Sequence, residues 1–303
     1  MRKTPKKVFS NAHLHSNPHA RTLSRTPAQA VSSRLTDALR EVAFSCSMSL
    51  FGTACFRDCE DLAPRSLPFS LRELPYAISI GFRLSDPVMD GLVDRPTRTY
   101  QYHYRQVNLL IDHTLLRLLG KLHEFGHEGF PIPSSQIVNW ETNTGHLAHK
   151  VVASVAGLGW IGRNNLLVSP LYGARVRYGS LFTNGPLRLS APAAAGVSSC
   201  EGAAAGTGLA HYPEREPADG PGAEGGAAGD AAAAAFGPDS LRFECGSCLA
   251  CVRVCPAAAI GKTRAEFDLE KCHRMLKSFE KSENIGSMIC GLCIKACRGH
   301  KQT

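Results

Sequence analysis

Long apolar runs are missing from this 303-residue chain. No stretch of about 18 apolar residues occurs, so no membrane-spanning helix and no membrane partner are expected. No secretory signal peptide is recognised, which argues against a small secreted scaffold held by disulfides. No G-x-G-x-x-G follows a strand pattern, so a dinucleotide fingerprint is unsupported. Charge of one sign is also scarce in two places. Residues 1–40 set eight Lys and Arg against Asp37 alone, and residues 191–240 set seven acids against Arg215 alone. The net charge of +8 is therefore uneven, and it fits a basic RNA-binding face no better than an ordinary solvated surface.

Cysteine is plentiful, and eight of the twelve lie near the C-terminal end. Cys245, Cys248, Cys251 and Cys255 stand in CGSCLACVRVCP, a C-x2-C-x2-C-x3-C-P run. That spacing is the bacterial ferredoxin pattern for [4Fe–4S] clusters, in which the fourth Cys serves the other cluster. Three thiolates on one tight loop cap three irons of one cubane, and the x3 step with Pro256 turns the fourth sulfur away. Cys290, Cys293 and Cys297 in CGLCIKAC lack the middle Cys of such a run, and the isolated Cys272 is the natural replacement. The expected metal ligands are Cys245, Cys248, Cys251 and Cys297 for one cluster, and Cys255, Cys272, Cys290 and Cys293 for the second. Zinc ligand sets do not explain the C-x3-C-P step. Cys46, Cys55, Cys59 and Cys200 remain, and they read most simply as reduced thiols of a cytoplasmic protein.

The rest of the chain divides by composition. Residues 1–40 are basic and Ser-rich, with His13, His15 and His19 among Asn and Pro; they overlap a transit-peptide composition but read first as a disordered tail. Residues 41–190 carry globular patterns. Tyr76–Leu84 alternates as a strand. Tyr104–Phe125 places Val107, Leu110, Ile111, Leu115, Leu118, Leu119 and Leu122 on one helical stripe. His123-Glu-Phe-Gly-His127 is a formal H-E-x-x-H, but Gly126, Pro131 and Pro133 break the helix that zinc-protease chemistry needs. Ala148, Val151, Val152 and Val155 mark a short helix running into Gly157. Leu166–Val168 and Arg175–Thr183 read as strands. On the second, Val176, Tyr178 and Phe182 share one face. Arg175, Arg177 and Thr183 share the other, where two Arg either grip an anionic ligand or meet water. Residues 191–240, with 17 Ala and 10 Gly, form a low-complexity insertion, and 241–303 form the cluster domain.

The segments AGLGWIGRNNLLVSPLYG (156–173), RVRYGSLFT (175–183), the cysteine runs and lone Cys272 together resemble the epoxyqueuosine reductase family. The architecture is similar to that of the corrinoid-dependent reductive dehalogenases. The resemblance implies an α+β fold: a nitroreductase-like, cobalamin-binding domain followed by a bacterial dicluster ferredoxin-like [4Fe–4S] domain. It implies two [4Fe–4S] clusters passing electrons singly to base-off cobalamin. The reaction would remove an epoxide oxygen from a modified tRNA base, with electrons from an external low-potential flavodoxin or ferredoxin. No D-x-H-x-x-G lower-ligand motif occurs, as base-off binding without His ligation requires. The corrinoid pocket would use Gly157, Gly159, Trp160, Gly162, Arg163, Asn164, Arg177 and Tyr178. The position of the family's catalytic Asp falls on Asn143. Asn donates no acid proton, so Glu141 or His146 would substitute, and His146 suits neutral pH better. With Asn143 in that place, a dicluster electron carrier or activase that reduces a partner protein's cofactor is the alternative. A basic RNA-binding module with structural clusters is a third, resting on the N-terminal charge.

Overall fold

The computed structural model describes residues 27–57, 67–135, 138, 145–190 and 244–299. The tail before Pro27, Glu141, Asn143 and the Ala/Gly insertion lie outside these. The elements in order are α1 (Pro27–Ser45), β1 (Leu50–Cys55), β2 (Tyr76–Arg83), α2 (Asp86–Asp90), α3 (Arg98–Glu124), β3 (Gly129–Ile132), α4 (His149–Val155), β4 (Trp160–Ile161), β5 (Leu167–Val168), β6 (Val176–Thr183), α5 (Ala250–Arg253), α6 (Leu269–Ser282) and α7 (Leu292–Ala296).

A four-stranded antiparallel sheet of order β1-β2-β6-β3 forms the middle layer. Pro131 lies in β3, at the sheet edge, where a missing N–H costs no ladder bond. Helices cover both faces. On one side Leu35 and Leu39 of α1 and Ile111, Leu115 and Leu118 of α3 pack on Ile78, Ile80 and Leu181. On the other, Val152 and Ala153 of α4 pack against Ala77, Val176 and Phe182. Each fully buried Leu or Ile contributes about 1.5–3 kcal/mol, and each face holds several.

The expected strands and helices form at nearly the expected places, with α3 extended back to Arg98 by a Thr97 side chain that accepts the Tyr100 N–H. Two expectations change. Residues 27–40 are not a disordered tail but the larger part of α1, whose Leu35 and Leu39 are fully buried. Its Leu, Ala and Val recur at helical spacing, a pattern that Ser and Arg between them obscure. Of the two readings of the Arg-bearing face of β6, the water-open one is lost, because α3 covers that face and Gly179 meets Ile111 there, leaving no room for a Cβ.

The cysteine-rich segment does not stand apart. Ile285, Ile289 and Leu292 are buried in the same core as Tyr100, Leu92 and Met89. Cys46 is a free thiol, whereas Cys55, expected to be reduced, is disulfide-bonded. Sequence spacing does not show which Cβ atoms approach within the roughly 3.5–4.5 Å that a bridge needs. No described helix is long and apolar enough to cross a membrane.

Candidate functional site

A cleft of about 270 Å³ opens where β3, α4, β5, β6 and α7 meet. His146, Arg177 and Tyr178 line it, joined by Ser134, His149, Lys150 and Ile294. Arg177 is the best-held polar group. Its guanidinium donates to Asn108 Oδ1 (3.1 Å), Tyr104 Oη (3.3 Å) and the Ser134 carbonyl (3.2 Å). It also lies 4.4 Å from the centre of the Tyr104 ring. Burial opposes ionisation of Tyr104, but Arg177 and hydrogen bonds with Ser135 and Asn108 outweigh it, so its phenol sits below the usual value. A phenol so placed holds a proton that can be given up more readily.

His149 is fixed at both ring nitrogens. Nε2 is 3.0 Å from the Pro133 carbonyl, which can only accept, so Nε2 carries the proton and Nδ1 accepts from Ser180 Oγ at 3.0 Å. Burial disfavours the imidazolium and Arg177 adds to that, while the Pro133 bond opposes only in part; the pKa falls to about 4. His149 is thus neutral near pH 7. Lys150, from the next position of α4, donates to the Asn165 carbonyl and side chain at 2.9 and 2.7 Å. Burial lowers its pKa. Tyr104, Asn108, His149 and Lys150 were missed in the sequence because the stripe pattern of α3 and the apolar pattern of α4 mark only their core faces, and Ser134 was missed because it sits in a turn after β3 that has no periodic pattern.

The glycine-rich turn is placed elsewhere. Expected to face a corrinoid, Trp160 instead aims its indole N–H at Cys245 Sγ, 3.4 Å away. Arg163 donates to the carbonyls of Gly246 (2.6 Å), Cys248 (2.8 Å) and Lys262. Gly159 adopts φ +153°, and a Cβ there would stand 2.1 Å from the Val168 carbonyl oxygen; only Gly fits the crossing. Gly162 is close enough that a Cβ would lie 3.3 Å from Cys245 Sγ. Gly157 closes α4 with φ +76°. Asn164 is buried and caps Leu166 N through Oδ1 at 3.3 Å. The turn therefore binds the cysteine loop, while Arg177 and Tyr178 serve the cleft.

Arg175 corrects a further expectation. It is 2% exposed and faces protein carboxylates, reaching Asp86 at 2.7 Å and Asp90 at 3.0 Å. Its Nε and one terminal nitrogen also donate to the Lys295 carbonyl at 3.2 and 2.6 Å. Ala174 N donates to the Cys297 carbonyl at 3.2 Å. The H-E-x-x-H residues do not form a ligand pair: α3 ends at Glu124, Gly126 has φ +77°, and His123 turns to Glu128 at 3.4 Å.

The eight C-terminal thiols sort by proximity. Burial pushes Cys251 up to about 11, with Cys297, Cys245 and Cys248 adding to it. Burial also raises Cys297, with contributions from Cys245 and Cys248. Cys293 rises well above a normal thiol through burial and then through Cys290, Cys272, Cys251 and Cys255. Cys290, pushed up to about 11, responds to burial, Cys272 and Cys255, and Cys272 to burial and Cys255. Four thiols therefore gather around Cys251 and four around Cys290, with Cys251 and Cys293 adjoining. Neither group converges as ligands of a single ion among the described residues; a cubane takes one thiolate per iron and tolerates a wider spread. Burial opposes ionisation of these thiols, so an iron centre bound there would have to displace their protons. The cleft is a poorer match to a whole corrinoid. At about 270 Å³ its described walls hold less than an ordinary ligand pocket of about 300–1,000 Å³.

The fold has a precedent among solved structures. It is shared with the catabolic reductive dehalogenase NpRdhA, at TM-score 0.58 and 15% identity over 88% of this chain and 32% of that one. Among curated proteins the chain is similar to epoxyqueuosine reductases. It is 38% identical to that of Listeria monocytogenes over 89 residues, which is 29% of this chain and 23% of the relative. It is 25% identical to that of Bacillus anthracis over 167 residues, 52% of this chain and 31% of the relative. The matches thus span under a third of either relative's length. No family model matches the chain.

Proposed function

We propose that the chain is an iron–sulfur reductase of the epoxyqueuosine reductase type, acting on the epoxide of a modified tRNA base or a related substrate. One observation carries this reading: the cleft and the cysteine groups share a wall. Ile294 lines the cleft and sits on α7 between Cys293 and Cys297. Two [4Fe–4S] clusters, held by Cys245, Cys248, Cys251 and Cys297 and by Cys255, Cys272, Cys290 and Cys293, would deliver electrons one at a time beside bound substrate. Removing an epoxide oxygen to leave an alkene takes two electrons and two protons and releases water. The electrons come from an external low-potential donor of flavodoxin or ferredoxin type.

The residues of the cleft have separable tasks. Arg177, pinned by Asn108 and Ser134, presents a fixed positive charge to substrate oxygen. Tyr104, which does not itself line the cleft, supports the Arg177 guanidinium through its ring and phenol oxygen. Neutral His149 donates to Pro133 and shapes the floor, and His146 lies on the same wall. Base-off cobalamin is the second cofactor of this reading, and it would supply a strongly reducing cobalt centre. The described walls of the cleft would enclose only part of so large a group.

The test is anaerobic reconstitution with iron and sulfide, incubation with cob(II)alamin, desalting and EPR, followed by assay on epoxyqueuosine-containing tRNA. About eight irons per chain, retained base-off cob(II)alamin and loss of the epoxide support the reading. Clean cluster signals with neither retained cobalt nor turnover would instead mark an electron carrier that reduces a partner protein's cofactor.

A further inference from the structure

We infer that Trp160 raises the reduction potential of the cluster held by Cys245, Cys248, Cys251 and Cys297 above that of its neighbour, so that a single electron on the pair comes to rest there. The inference rests on the iron–sulfur reading above and goes beyond it, because it assigns the two clusters different electronic roles.

The observation is a side-chain N–H on a cysteine sulfur. Trp160 Nε1 stands 3.4 Å from Cys245 Sγ, and the indole is 9% exposed. Backbone N–H groups serve other sulfurs: Ala259 donates to Cys255 Sγ at 3.3 Å, Leu292 bonds Cys290, and Gly299 and Ala174 bond Cys297. The bonds from Ala259, Leu292 and Gly299 come with the loop conformation of the cysteine segment itself, and Ala174 is a backbone donor just before β6 that serves the same cluster through Cys297. Trp160 belongs to the glycine-rich turn, 85 positions before Cys245, and its aim is separately built. Pairing of Trp160 with Val168 fixes the strand, and the Gly159 crossing sets its direction. Arg163 then holds the loop against the indole through the Gly246 and Cys248 carbonyls.

The sign follows from charge. One-electron reduction of a [4Fe–4S] cluster adds a negative charge that spreads onto its thiolate sulfurs. An N–H dipole with its positive end on one sulfur stabilises the reduced form more than the oxidised form, so the potential rises. The indole is buried and Cys245 is half-buried, so water screens the dipole's field only in part. No co-reactant beyond the one-electron donor is needed.

The test uses the full chain with both clusters, labelled with ¹⁵N in the indoles of its two Trp. Iron and sulfide are quantified first, and the clusters are then titrated potentiometrically with EPR and pulsed-EPR detection. The expected result is two midpoints, with ¹⁵N coupling on the higher-potential cluster. In Trp160→Phe that coupling disappears, one midpoint moves down and the other stays. Unchanged midpoints in the variant, or coupling confined to the lower-potential cluster or absent, would overturn the inference while leaving the clusters in place. If Trp160→Phe loses iron, the coupling in the unsubstituted chain decides alone. An unsubstituted chain that takes up no iron and sulfide overturns the cluster reading and this inference with it.

Discussion

Replacing Arg175 with Met removes the side chain that ties α7 to the sheet. The aliphatic replacement fills similar space, so the loss is chiefly electrostatic. Arg175 is almost wholly buried, whereas Asp86 and Asp90 are 34% and 46% exposed on their side chains. Breaking a buried ion pair costs about 3–5 kcal/mol when the remaining charge is stranded. Here water reaches both carboxylates, which argues for the low end. The Lys295 carbonyl loses both of its guanidinium donors, and charge-assisted bonds are worth about 1.5–3 kcal/mol each. A net loss of about 3 kcal/mol is expected, or roughly 6–12 °C in an anaerobic melt of a domain this size. Iron content should fall toward one cluster, because the lost anchor lies two residues before Cys297. Burial works against the ionised Asp86, but Arg175 and Arg83 outweigh it and hold its carboxyl below the usual value. Its contribution is therefore present above the unfolded value near 3.8 and is lost as pH falls through the folded one. The gap between Arg175→Met and the parent should narrow below about pH 4. A variant that melts within about 3 °C of the parent at pH 7 and keeps both clusters would refute the reasoning.

Other perturbations reach different parts of the molecule. Cys272→Ser should halve the iron and leave one EPR-active cluster; two intact clusters would break the assigned pairing. Gly159→Ala drives a Cβ to 2.1 Å from the Val168 carbonyl oxygen at a φ that L-residues avoid. A loss above about 4 kcal/mol is expected, read as insoluble protein or a collapsed melt. His149 has a folded pKa of about 4 against 6.5 unfolded, so the unfolded chain binds the extra proton between those values. Stability should fall by about 3 kcal/mol as pH drops from 7 to 4. His149→Gln should flatten that part of the profile in denaturant titrations across the range, and an unchanged slope would remove His149 as its cause.

What the sequence showed of this molecule is what lies within one turn, strand or loop. The strand at Tyr76, the stripe of α3 and the break after Glu124 are local patterns, and the structure realises them close to where the residues indicate. What stayed hidden is the choice of distant partners. Two Arg near the start of β6 look alike in a strand pattern, yet Arg175 is used up by Asp86, Asp90 and the Lys295 carbonyl while Arg177 faces the cleft. Alternation assigns both to one side; it does not say what waits there. Trp160 and Arg163 sit in a turn whose glycines signal close approach without naming what approaches, and the answer is a loop 83 to 99 positions away. Distance along the chain is no obstacle, because doubling the length of a connection adds only about 0.6 kcal/mol of closure entropy. The hydrogen bonds of Arg163 and Arg175 outweigh such a term several times over. A long spacer and a tightly docked cysteine segment are therefore compatible, and the docking is written in a few polar side chains that local periodicity leaves unmarked.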